Sequence, residues 1–455
     1  MKNYSMNPKD ENVIQMFRLD SVGRNDEIIR FIELLDIIKY GFSIALNGEW
    51  GSGKTFFVKQ LKLILDFNNP RSDMNEETKN AVKSVVSSLK CECSESYATV
   101  YYDAWANDNT EDPILSLLYA TIKANKDIKP ENEKNISKIL ISLIDTITGR
   151  DLSKLRENII GENIFETIQK EEDIQQLVAE FFDNLIIERA NRLVIFIDEL
   201  DRCKPAYAIQ LLERIKHYFN DDRVIFVFSV NISQLQHTIK SYYGVGFNAT
   251  AYLDKFFDLR MSLPEINYDL YINKRFDFMQ SSHIFDEICV HVIKYFKFSL
   301  REVERFLRLT RIAYRRDKAQ FYNEEEKAHI FALMYIAPIA IGLSMKDIKT
   351  YNNFITGSYP DILYKILVNS ERTSISQFLL ADNEWFSDDK NVKASDIVVS
   401  LEERLNEVYT AMFPKISSNY GNPIRIGKIS FSPRTRIKFN KIISLLSPFC
   451  NYQFE

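Results

Sequence analysis

Cysteine is scarce in this chain: five in 455 residues, odd in number and scattered apart from Cys91 and Cys93. A C-x-C pair with no nearby histidine or second cysteine pair is a weak metal signal, and the thiols read as those of a reduced, cytoplasmic protein. The N-terminus, Met1-Lys2-Asn3-Tyr4-Ser5, lacks the apolar stretch of a signal peptide. No run reaches the roughly 18 apolar residues of a membrane helix. The nearest, Ile139 to Ile147, is broken by Ser142 and Asp145, so no membrane is expected as a partner. A strong charge of one sign is also missing. At a formal net charge of −5 the molecule as a whole does not attract a polyanion, and any basic site must be local. No helicase motif, nuclease triad or metal-ligand cluster stands out. What remains is ordinary globular composition, 45% hydrophobic and 27% charged, in a chain long enough for two or three domains.

Against these absences one stretch is explicit. Gly48-Glu49-Trp50-Gly51-Ser52-Gly53-Lys54-Thr55 matches the phosphate-binding loop G-x-x-x-x-G-K-[S/T] in full. Before it, Phe42 to Leu46 is a short apolar run that reads as a buried strand; after it, Phe56 to Leu65 is apolar at helical spacing. Strand, glycine-rich turn and helix are what the chemistry needs. The glycines permit positive φ and close approach, so backbone N–H groups can cradle phosphate oxygens beside the positive end of a helix. Gly48 through Phe56 are therefore the nucleotide-binding residues, with Lys54 reaching the β- and γ-phosphates and Thr55 ligating Mg²⁺.

Residues 1–19 read as an N-terminal arm. Residues 20–267 then alternate strand and helix, which predicts a three-layer α/β sandwich on a mostly parallel sheet, with nucleotide at the carboxyl ends of the strands. Its strands are expected at Ala98–Tyr102, Leu193–Ile197, Val224–Val230 and Phe256–Leu263, with a charged helical insertion at about 125–172 and a helix from about Glu172 to Ala190. Residues 268–345 are expected as a helical lid. Within it Phe296 to Arg316 forms one long helix with Val303, Phe306, Leu307 and Ile312 inward, and 320–345 hold two or more apolar helices. Residues 346–455 form an accessory region without a motif.

The strand Leu193–Ile197 runs into Asp198-Glu199-Leu200-Asp201-Arg202-Cys203. An apolar strand ending in Asp-Glu is the Mg²⁺ side of phosphate-loop enzymes: Asp198 holds the ion, and Glu199 orients and deprotonates the attacking water. Asp201 is a second candidate for the base, or a partner for Arg202. Asn231, just after the next strand, either senses the γ-phosphate or caps the helix that follows. Arg301, Arg305, Arg308 and Arg315 share a helix face; such a face supplies an arginine to a γ-phosphate, binds nucleic acid, or is simply solvated. That region, 294–318, and the tail, 415–441, are the two basic patches. In the tail, Ile424–Phe431 and Thr435–Phe439 alternate around Ser432-Pro433, which predicts a hairpin with Arg434, Arg436 and Lys438 on one face.

Taken together these residues resemble the KAP family of P-loop NTPases. The loop carries the family's tryptophan as Trp50. The aromatic-N-A-W element is Tyr102-Asp103-Ala104-Trp105, and I-D-D-L-D-R-C-x-P is Ile197 to Pro205. Tyr252-Leu253-Asp254-Lys255 and Leu300 to Arg305 match two further elements, so the likeness covers about Asp20 to Arg316. Asp103 stands where the family usually has asparagine, and Leu300 where it has the proline before Arg301. A soluble insertion replaces the membrane helices that many members carry between the two motifs. The resemblance implies hydrolysis of ATP (or GTP) with Mg²⁺ in the soluble, prokaryotic branch. There it implies a homo-oligomer or protein partner in phage or mobile-element defence. A nucleotide-gated scaffold with little turnover and a nucleic-acid motor or loader are the alternatives.

Overall fold

The structure is a computed structural model that describes residues 8–89, 93–110, 112–124, 164–219, 221–276, 283–315, 324–367, 394–414, 422–426 and 429–446. Most of the expected insertion, and Cys91, lie outside the described residues. The chain divides into two units, Met1–Ile266 and Asn267–Glu455.

In the first unit five strands form one sheet: β1 Phe42–Asn47, β2 Tyr97–Asp103, β3 Arg192–Asp198, β4 Val224–Val230 and β5 Leu259–Ser262. Their spatial order is β2-β3-β4-β1-β5, and every pairing is parallel. β3 and β4 are buried at every residue, which is why their sequences are apolar without alternation and why they sit inside the sheet. β5 is shorter than its apolar run suggests, because Phe256 and Phe257 leave the strand to enter the core. One core face is a chain of rings, Phe182, Phe219, Phe226, Phe228 and Phe257, with successive centroids 5.0 to 6.1 Å apart. The helices Ile164–Arg189 and Pro205–Tyr218 supply Phe181, Leu185, Ile209 and Leu212 to the same cluster.

The order of the sheet decides the site. β4 lies between β1, which leads into the phosphate loop, and β3, which ends at Asp198. The register sets Asp198 opposite Asp103 on one side and Ser229 on the other, while Asn47 faces Val230. The carboxyl ends of four adjacent strands, β2, β3, β4 and β1, are thereby level.

In the second unit the helices Tyr268–Phe276, His283–Phe296 and Leu300–Arg315 are followed by an apolar helical stretch from Glu324 to Lys346. Two or more helices are expected there from sequence; the structure joins them through one π-helical segment at Ala332–Ile336. Lys327–Lys346 has the length and apolarity to cross a membrane, with mean hydropathy 1.8, but 83% of it is buried. Phe331 meets Phe431 edge-on at 6.1 Å, so the strand Ile429–Phe431 of the expected accessory region packs against this apolar stretch within the second unit. Ile312 is another departure, 48% exposed where an inward position is expected. The buried residues Val303, Phe306, Leu307, Thr310 and Ala313 define the inward stripe, and Ile312 falls outside it.

The tail hairpin is corrected by the structure. β6 Ile424–Ile426 and β7 Ile429–Phe431 pair as a small antiparallel hairpin, and Pro433–Leu446 is a helix, not a strand. Ser432 Oγ accepts the N–H of Thr435 at 3.3 Å and Pro433 opens the first turn, so Ser432-Pro433 is a helix start. Arg436 is buried and Ile437 is 67% exposed, the reverse of the alternation reading. Arg434, Lys438 and Lys441 are exposed at helical spacing and form the basic face instead.

Packing around Gly342 gives a stability prediction. A Cβ at this position would lie 2.8 Å from Val292 Cγ1 and 2.9 Å from Phe296 Cε2. Gly342→Ala should therefore destabilise the protein by about 1–3 kcal/mol, as overpacking of a filled core does. Thermal denaturation measures it; an unchanged midpoint would show that Phe296 swings aside at no cost.

Candidate active site

The loop from Gly48 to Gly53 owes its shape to glycine at the positions that need it. Gly51 and Gly53 have φ of 79° and 94°. A Cβ on Gly48 would come within 2.8 Å of Ser52 Oγ. Gly48 N–H bonds the Val230 carbonyl at 3.1 Å, which fixes the loop to the end of β4. The helix Lys54–Asn68 begins directly after it. Lys54 Nζ donates to the carbonyls of Gly48 at 2.6 Å and Glu49 at 3.2 Å, so its ammonium lies over the loop. Burial lowers its pKa; Asp201, Asp198 and Glu199 work in the opposite direction. Glu49 and Trp50 are exposed, whereas the Phe56 side chain is buried beneath the loop.

Asp198, 1% exposed, meets the loop from β3. Its Oδ2 accepts the Thr55 hydroxyl at 2.7 Å across 143 residues of sequence, and the Tyr101 hydroxyl at 2.9 Å. Burial and the Asp198 carboxylate push the Tyr101 phenol well above its ordinary range, so it stays a donor. Glu199 takes a left-handed backbone, φ 60°, uncommon for a side chain of its kind, and its N–H bonds Asp198 Oδ1 at 3.0 Å. Its carboxylate is ion-paired with Arg202. Burial, followed by the neighbouring Asp198 charge, raises its pKa to about 7, in the range suited to a general base.

Asp201 Oδ2 accepts the Trp50 indole N–H at 2.5 Å. This carboxylate therefore braces the phosphate loop. Asn231 caps the helix Ile232–Tyr243, its side chain accepting the N–H of Gln234 at 3.2 Å. Arg301 is exposed on the helix Leu300–Arg315 of the second unit.

Several residues join the site without having been singled out from sequence. Asn47 Oδ1 accepts the Ile232 N–H at 2.9 Å, tying the strand before the loop to the helix after β4. Buried Arg24 donates to the Ser52 carbonyl at 2.8 Å and to the Pro264 carbonyl, bracing the loop from outside. Ser229, wholly buried beside Asp198 in the register, has no hydrogen-bond partner for its hydroxyl among the described residues. Asp103, which the sequence did mark as a departure from the family's asparagine, accepts the Ala106 N–H at 2.9 Å and shapes the turn that carries Trp105.

A parallel sheet with this loop at β1, an acidic end on β3 and a strand between them defines a P-loop NTPase fold. The KAP family P-loop domain matches residues 24–315, more than half of the chain. The chain belongs to the KAP family. No curated protein matches it. Among solved structures it is similar to the Aeropyrum pernix ORC2 protein in ADPNP–ADP complexes, at 11% identity and a TM-score of 0.34, over 93% of this chain and 95% of that one.

Proposed function

We propose that the chain hydrolyses ATP, or GTP, with Mg²⁺, and that this cycle changes the assembly of a cytoplasmic protein complex. The hydrogen bond from Thr55 to Asp198 carries the reading. It sets the two oxygen ligands that Mg²⁺ favours side by side, next to Lys54 and one residue from Glu199. Both are hard oxygen donors, so they fit the ion, which when bound neutralises charge on the β- and γ-phosphates. The loop amides and Lys54 hold the phosphate chain. Glu199 accepts a proton from water as the water oxygen bonds to the γ-phosphorus and the bond to the bridging β–γ oxygen breaks, leaving nucleoside diphosphate and phosphate. The proton then passes to the released phosphate. Self-association through shared nucleotide sites, with Arg301 or a neighbour's arginine at the γ-phosphate, and a place in phage or mobile-element defence extend the same reading.

Phosphate release from Mg·ATP and Mg·GTP tests the proposal. Lys54→Ala should abolish turnover through loss of phosphate binding. Equal release by wild type and Lys54→Ala would overturn it.

A nucleic-acid loader is the second reading, favoured by the exposed face Arg434, Lys438 and Lys441 on the helix Pro433–Leu446. Replacing all three with Glu should weaken nucleic-acid binding and flatten its salt dependence, because fewer phosphates are then neutralised and fewer counterions released. Filter binding across a salt series reads this; unchanged affinity and slope make the face a solvated one.

A further inference from the structure

Three segments of the first unit meet at one guanidinium. Arg202, in the turn after β3, lies 5.5 Å from the ring centre of Trp50 on the phosphate loop and 5.5 Å from that of Trp105 after β2. The same guanidinium is ion-paired with Glu199. Each jaw of this clamp is fixed from behind. Trp50 is bonded to Asp201 through its indole N–H. Trp105 follows Ala104, whose N–H bonds the Asp198 carbonyl at 3.0 Å. The two indoles are 45% and 52% exposed. The cation over both rings gives these half-exposed indoles a partner, because guanidinium stacks on aromatic faces with little loss of hydration.

The pairing matters for the reaction proposed above, on which this inference rests. A carboxylate ion-paired with a guanidinium has its charge compensated, so it is a poorer acceptor for a proton from water. We propose that Arg202 keeps Glu199 out of action until the γ-phosphate of a bound nucleotide draws the guanidinium away from it, with Trp50 and Trp105 as the clamp. The γ-phosphate carries more negative charge than the Glu199 carboxylate, which meets Arg202 through one nitrogen, and it offers the guanidinium fork more than one oxygen, so it is the better partner for an arginine. One movement frees the base and brings a cation to the transferring group. A nucleoside diphosphate has no γ-phosphate to offer, and the clamp stays shut. The device therefore distinguishes triphosphate from diphosphate.

Tryptophan emission tests this without turnover. The chain has three tryptophans, and Trp385→Phe leaves only the two in the clamp. In that background a slowly hydrolysed ATP analogue with Mg²⁺ should change the emission and Mg·ADP should not, and Arg202→Lys should erase the difference. In kinetics, Trp105→Ala should raise kcat by about threefold to fivefold, the rate equivalent of one half-exposed cation–ring contact. KM should change by less than about twofold, since phosphate binding is untouched, and Trp105→Phe should restore the wild-type rate. Equal emission changes with analogue and diphosphate, or a Trp105→Ala kcat at or below wild type, overturn the clamp. A wild-type protein that neither binds Mg·nucleotide nor hydrolyses it overturns the proposed function instead, so the two failures are told apart.

Discussion

Glu199→Gln should bind Mg·ATP as well as wild type and turn it over about 10²- to 10⁴-fold more slowly, the loss expected on removing a general base. Gln keeps the size and hydrogen-bonding reach of Glu but accepts no proton. The folded state should tolerate the change. Glu199 lies beside Asp198 and Asp201, and both of those charges disfavour its ionised form. Neutralising it relieves that repulsion and loses one ion pair with Arg202, whose guanidinium still lies over the Trp50 and Trp105 rings. The polyanionic nucleotide also meets one negative charge fewer, so affinity is kept or improved. Single-turnover hydrolysis alongside equilibrium binding of a fluorescent nucleotide separates the two quantities. Wild-type turnover in Glu199→Gln would remove this residue from the chemistry and move the role of base to Asp201.

The nucleotide loop and the central strands were legible because several local signals agree. At β1 an apolar run, three glycines and a helical repeat say the same thing within about one supersecondary unit. At β3 and β4 unbroken apolar runs of five residues, Leu193–Ile197 and Val224–Phe228, say buried parallel strand, and both strands are buried throughout. The meeting of Thr55 with Asp198 lies 143 residues apart and was inferable only because the two motifs imply a shared ion. Asn47, Tyr101, Arg24 and Ser229 were not legible. Each acts as a single side chain whose surroundings are set by how distant segments come together, and one sequence carries no mark of β4 lying between β1 and β3.

The tail shows why a short pattern misleads. Thr435 to Phe439 alternates as a strand does, yet Thr435, Arg436 and Phe439 are buried, which is the spacing of a helix stripe. Five residues fit both periods, and the deciding signal was Ser432-Pro433 as a cap and first turn. Ile312 was misplaced on similar grounds, since an apolar residue on an amphipathic helix need not lie on its apolar side.

Asp198→Asn should separate folding from ion binding. In the protein without nucleotide the melting temperature should move by only a few degrees, since the expected net change is about 1 kcal/mol. Two opposing effects set that small sum. Asn can turn its carbonyl oxygen toward the Thr55 and Tyr101 hydroxyls, which both bond Oδ2, so those two hydrogen bonds survive. Its NH₂ then faces the Glu199 N–H, which now bonds Oδ1, and that one hydrogen bond goes unmade. Against this, a fully buried negative charge beside Glu199 and Asp201 disappears, and a charge in such a place is costly to keep. With ligand the balance is different. Wild type in Mg·nucleotide at a hundredfold over Kd gains about 2.7 kcal/mol of stability, because only the folded state binds. The Asn side chain offers the ion a neutral ligand in place of a carboxylate, so the Mg²⁺-dependent part of that gain should vanish and hydrolysis with it. Thermal shift with nucleotide, measured with and without Mg²⁺ for both proteins, reads the difference. A Mg²⁺-dependent shift of wild-type size in Asp198→Asn would mean that Thr55 and the phosphates hold the ion without Asp198, and its buried carboxylate would then serve the fold alone.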